Sequence, residues 1–80
     1  MSQEAIQRAD AKTQRVLKAL LDRRIEIKVS QDALGKAIGL DRTAINKIEH
    51  GRRKLYMTEL WAICHVLGVD PVRLLRDEVA

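Results

Sequence analysis

The chain contains no phenylalanine, and Tyr56 and Trp61 are its only aromatic residues, so any core it builds must consist of Leu, Ile, Val and Ala. Such a core suits interlocking helices better than a sheet, where aromatic and β-branched side chains are favoured. Its single cysteine, Cys64, excludes an internal disulfide and a thiolate cluster; its place on an apolar stripe makes it a small buried hydrophobe. The one proline and four glycines fall at expected element boundaries, Gly35 excepted. No apolar run approaches the ~20 residues of a membrane span, and no signal peptide is recognisable, so a reducing cytoplasm is the expected location. His50 and His65 lie in different elements without a second cysteine, which is not metal-ligand spacing. There is no glycine-rich phosphate loop, no pair of carboxylates in an apolar setting and no nucleophile beside a base. An enzyme is not expected, and neither is a cofactor, a metal or a small-molecule ligand.

What the chain does have is helical periodicity over most of its 80 residues. That length supports one domain with one modest core, which leaves marginal stability or stabilisation by dimerisation. Residues 1–80 are read as a single domain, with 1–9 as an extension, because Ser2 and Asp10 are both plausible starts of the first helix. In that helix Ile6, Ala9, Val16, Leu17, Leu20 and Leu21 form an apolar stripe among basic residues. A membrane-surface role is set aside because the stripe is needed to cover the segment that follows.

That segment, Ser30 to Gly51, predicts two short helices and a sharp corner. Ser30 and Asp41 stand where N-caps belong. Leu34, Ala37 and Ile38 give the first helix one apolar edge, and Ala44, Ile45 and Ile48 give the second another. Gly39 can end the first helix in the left-handed conformation, and Leu40 can plug the corner from inside. Gly35 either permits a close approach of backbone or is merely tolerated. The pattern is a helix-turn-helix.

On the second helix Arg42, Thr43, Asn46, Lys47 and His50 project from one face, and none is apolar. Arg and Lys can donate to guanine O6 and N7, Asn can pair with adenine, and Thr offers a hydroxyl and a methyl. An ordinary solvated helix face is the competing reading, and the caps and corner weigh against it. The run Arg52-Arg53-Lys54 would lie just past this helix, where cations sit beside phosphates rather than in a plain solubilising loop. Charge is distributed accordingly: residues 30–56 carry six Lys/Arg against three Asp/Glu, and residues 57–80 carry two against four.

Over Ser30–Leu40, Arg42–Ile45, Ile48–Arg53 and Leu60–Pro71 the chain resembles the helix-turn-helix domain of phage repressors and Cro-like regulators. The resemblance implies an all-α, compact five-helix bundle of the lambda-repressor-like type that binds double-stranded operator DNA as a homodimer. It places Gln31 on phosphate, Arg42, Thr43, Asn46 and Lys47 on bases or backbone, and His50, Arg52 and Arg53 along phosphate. Glu49 corresponds to an acidic residue that pairs with an arginine of the bundle. One departure stands out, since family members commonly carry glycine where this chain has Lys28, and Ile25–Val29 alternates like a short extended stretch.

Further on, Thr58 is a candidate cap for a fourth helix carrying Leu60, Ile63, Cys64 and Leu67, and Gly68 stops it. Asp70 and Pro71 open a fifth helix, with Val72, Leu75 and Val79 on one stripe and Leu74 able to turn inward. Trp61, Val66, Val72, Leu75 and Val79 are the candidate dimer contact; a stripe that only closes the monomer's own core is the alternative. The functional expectation is a dimeric, sequence-specific regulator, repressor or controller, on a roughly palindromic operator. The rival is an antitoxin or adaptor module whose main partner is another protein.

Overall fold

The computed structural model describes residues 2–76, and Val79 of the expected dimer stripe lies outside them. Five helices follow in order: α1 Gln3–Glu26, α2 Gln31–Ile38, α3 Arg42–Glu49, α4 Met57–Leu67 and α5 Pro71–Leu75. No strand occurs among the described residues, and the all-α, five-helix expectation holds.

Ser2, not Asp10, opens α1: its Oγ accepts the Ala5 N–H at 3.1 Å. The helix is therefore continuous from residue 3, and its length of about 36 Å accounts for the 38 Å long axis of the molecule. Only its second half is buried, through Val16, Leu17 and Leu20. Ile6 and Ala9, expected on the same stripe, are exposed.

The exit from α1 corrects the sequence reading. Ile25–Val29 is not extended: the helix runs to Glu26, Ile27 ends it, and Lys28 turns the chain at φ 60°. The Val29 N–H returns to the Arg24 carbonyl at 3.0 Å and the Lys28 N–H to Ile25 at 3.0 Å, closing the helix through a left-handed residue. Lys28 thus does what glycine does after α2, α3 and α4, where Gly39, Gly51 and Gly68 have φ of 79°, 70° and 67°.

Between α2 and α3 the corner forms as read. The Ser30 Oγ accepts the Ala33 N–H at 2.9 Å, and the Asp41 Oδ1 accepts that of Ala44 at 2.7 Å. Gly35 is required rather than tolerated: a Cβ there would collide with the Leu40 carbonyl oxygen and stand 3.2 Å from that of Asp41. The chain leaving the corner folds directly across α2, with the Leu40 N–H bonded to the Gly35 carbonyl at 2.8 Å. Ala37, assigned to the buried edge, is exposed.

Thr58 does not cap α4. The helix starts two residues earlier, with Tyr56 at the cap position and its N–H donating to Glu59 Oε1 at 3.0 Å. Its C-terminus is tied to α1, since Arg23 Nε donates to the Leu67 carbonyl at 2.9 Å. α5 is a single short turn after Asp70 and Pro71, and Leu74 is its buried residue. The shared core is aliphatic throughout, with Val16, Leu20, Leu34, Ile45, Leu60, Ile63, Cys64, Leu67 and Leu74 in one cluster. Burial raises the Cys64 thiol pKa above its ordinary value, as an inert packed cysteine requires.

Candidate nucleic-acid interface

α3 is fixed from one side only. Ile45 and Ile48 are buried against the other helices, Ala44 is half-buried, and the Asp41 cap and the left-handed Gly51 beyond His50 set where the helix begins and ends. Opposite them Arg42, Thr43, Lys47 and His50 are exposed and Asn46 is half-buried. At 100° per residue these five span about 140° of the helix surface. The His50 ring packs back on its own helix, with Nδ1 2.8 Å from the Asn46 carbonyl oxygen.

The orientation of α3 depends on one ionic latch. Arg24 near the end of α1 reaches Glu49 at the end of α3, with Nε to Oε2 at 2.5 Å and NH2 to Oε1 at 3.2 Å. Their side chains are 11% and 8% exposed, so the pair is shielded from screening by salt. The same guanidinium donates from NH1 to the Val29 carbonyl at 2.9 Å, which ties the left-handed exit of α1 to the same point. Gln31 joins them, its Nε2 donating to Glu49 Oε1 at 2.8 Å. Glu49 therefore has the arginine partner that the resemblance implied. Gln31, expected on phosphate, is held at the first turn of α2 where it lines a shallow concavity of about 410 Å³ with Arg24, Ser30, Asp32 and Arg42. The start of α2 and the start of α3 are thereby brought to one place.

After α3 the chain turns at Gly51, and the Arg52 N–H bonds back to the Lys47 carbonyl at 2.8 Å. Arg52 and Lys54 are exposed. Arg53 is not: its NH1 and NH2 grip Glu59 Oε1 and Oε2 at 2.9 and 3.0 Å, with the two side chains 28% and 17% exposed. The hydrogen bonds from Arg53, joined by that of the Tyr56 N–H, hold the Glu59 carboxyl below its ordinary pKa, and the same pairing raises that of Arg53. Tyr56 and Glu59 were missed in the sequence. The signal that could have found Glu59 is its place three residues after a helix start, where an acidic side chain reaches back to the first N–H.

Most cations outside this surface are neutralised within the chain. Arg8 pairs with Glu4, Lys18 with Asp22, Arg23 with Glu26, Arg24 with Glu49 and Lys36 with Asp32. Among the described residues Arg42, Lys47, Arg52 and Lys54 have no ion pair, and the same is true of Lys28, Arg73 and Arg76. Unneutralised positive charge is thus concentrated on α3 and the loop that follows it.

The candidate dimer residues divide. Val66 and Leu75 pack against the chain's own core, as the alternative reading had it. Trp61 and Val72 stay 43% and 57% exposed. No group of three potential metal ligands occurs among the described residues, and none of their helices is long and apolar enough to cross a membrane.

A family model described as helix-turn-helix matches residues 20–74, which takes in α2, α3, the basic loop and α4 entire. No characterised protein and no solved structure matches the chain.

Proposed function

The chain belongs to the helix-turn-helix family of phage-repressor and Cro-like DNA-binding regulators, and from that premise we propose that it is a sequence-specific transcriptional regulator that acts as a dimer. Arg42, Thr43, Asn46 and Lys47 read base edges from α3 in the major groove. Gln31, His50, Arg52 and Lys54 lie along the phosphates on either side. A dimer would set two α3 helices in successive grooves of a roughly palindromic operator, about 34–36 Å apart. Repression or control of a promoter would follow from where the operator lies. A reducing cytoplasm suits the buried, unpaired Cys64.

The observation that carries this reading is the asymmetry of α3. Its apolar face is locked into the core, and its outer face and following loop present cations without intramolecular partners. A face meant only for solubility would gain from pairing those charges as α1 pairs its own.

Selection from random duplexes tests it. The expected outcome is an enriched inverted repeat, and no enrichment would end the proposal of sequence specificity. On the enriched duplex Arg42→Ala with Lys47→Ala is expected to reduce affinity by about 2–6 kcal/mol, at 1–3 kcal/mol per base-reading residue. Binding to random DNA should fall far less. Equal loss on both would leave phosphate contact alone.

A further inference from the structure

The basic run after α3 does not present its three cations alike. Arg52 and Lys54 are exposed, and Arg53 between them is turned inward onto α4. We propose that Arg53 is a positioning residue that fixes the loop so that Arg52 and Lys54 can meet phosphate, and that it does not itself contact DNA. This inference rests on the DNA-binding reading.

Four contacts carry it. NH1 uses both of its N–H groups within the chain, one on Glu59 Oε1 at 2.9 Å and one on the Lys54 carbonyl at 2.9 Å. NH2 holds the second carboxylate oxygen at 3.0 Å. The guanidinium carbon stands 5.9 Å from the centre of the Tyr56 ring, within reach of a cation–π contact. Glu59 Oε1 also accepts the Tyr56 N–H at 3.0 Å, so the start of α4 and the loop close on the same carboxylate. The loop is pinned at Gly51 by the bonds that end α3 and at 53–56 by this cluster. Arg52 and Lys54 flank the pinned residue on an exposed edge. A swing of Arg53 towards phosphate would strip a shielded carboxylate of both its forked bonds, and leaving one partner of such a pair unmatched is costly. The two carboxylate oxygens are met by two different nitrogens of one planar fork, a geometry that the single nitrogen of an ammonium does not reproduce.

Binding of the full chain to its selected duplex, followed across salt concentration, separates the alternatives. If Arg53 positions the loop, Glu59→Gln weakens binding roughly tenfold and flattens the dependence of log K on log salt by about one to two contacts, at ~0.9 per phosphate. Arg53→Lys does the same despite keeping the charge, and Arg53→Ala adds nothing in the Glu59→Gln background. Arg52→Ala, which lowers affinity in the natural sequence, has little further effect once Glu59 is replaced. If Arg53 is itself a phosphate ligand, Glu59→Gln frees it and leaves affinity equal or higher, Arg53→Lys restores binding, and the proposal is overturned. A measurement on the unaltered protein guards against variants that fail to fold. On adding duplex, the guanidinium nitrogen signals of Arg52 should shift and those of Arg53 should stay; movement of Arg53 would overturn the inference. A natural chain that binds no duplex at all would instead refute the DNA reading, and this inference with it.

Discussion

At the scale of single residues, what distinguishes this surface is which polar groups are already committed. Arg24 is paired with Glu49 and Arg53 with Glu59, and Gln31 gives one of its two amide hydrogens to Glu49, whereas Arg42, Lys47, Arg52 and Lys54 make no ion pair within the chain. Gly35 has an equally definite task. Alanine in a helix interior is ordinarily better than glycine by about 1 kcal/mol. Here a Cβ would run into the Leu40 carbonyl, and backbone cannot retreat as a flexible side chain could. Overpacking of this kind is worth about 1–3 kcal/mol against the fold, so it outweighs the helical gain. Gly35→Ala is therefore expected to lower stability by about 1 kcal/mol net and by no more than ~2 kcal/mol, or roughly 4–8 °C in Tm for each kcal/mol in a domain of this size. A thermal melt followed by circular dichroism measures it. An unchanged or raised Tm would mean that the corner between α2 and α3 can open without loss, and that its close approach does not set the angle of α3.

At the scale of elements, the helices legible in the sequence were those with both a cap and a stripe. Ser30 and Asp41, with Leu34 and Ile38 against Ile45 and Ile48, placed α2 and α3 correctly, and the outward face of α3 followed from the same spacing. The exit from α1 was not legible, because an alternating Ile-Glu-Ile-Lys-Val looks extended. What decides it is tertiary: Arg24 holds the Val29 carbonyl and Glu49 together, so the chain must turn at residue 28. Tyr56 was overlooked as a helix start for a similar reason, since the capping group is not its own side chain but that of Glu59. Arg53 was indistinguishable in sequence from its basic neighbours, and only α4 beside it separates them. A side chain in the left-handed conformation is disfavoured by about 1–2 kcal/mol, and glycine in its place gives up about 0.5–1 kcal/mol of chain entropy. The Lys28 side chain is exposed and has no ion pair to lose. Lys28→Gly is accordingly expected to stabilise the fold by about 0.5–1 kcal/mol, seen as a higher urea midpoint with an unchanged m value. A lower midpoint would show that Lys28 makes a contribution beyond its backbone angle.

At the scale of the whole molecule, the question is where a second copy would sit. An aliphatic core from 80 residues is small, and association is a common way to make up the deficit. The stripe that spacing suggests for this is divided by packing. Val66 and Leu75 are used by the chain's own core, so changing Leu75 would perturb folding and reveal little about association. Trp61 on α4 and Val72 on α5 are the members that keep large exposed apolar surface. Tryptophan is among the residues that dominate interfaces when truncated. If the proposed dimer forms through them, Trp61→Arg together with Val72→Arg introduces charge into a dehydrated contact without removing a core group. The dissociation constant from sedimentation equilibrium should rise at least tenfold, about 1.4 kcal/mol, with the melting curve of the monomer little changed. Binding to an inverted repeat should weaken in step, and binding to an isolated half-site should not, because α3 and the basic loop are untouched. An unaltered dimer would place the twofold contact on another face of the bundle, and the exposed first half of α1, with Ile6 and Ala9, would be the next surface to change.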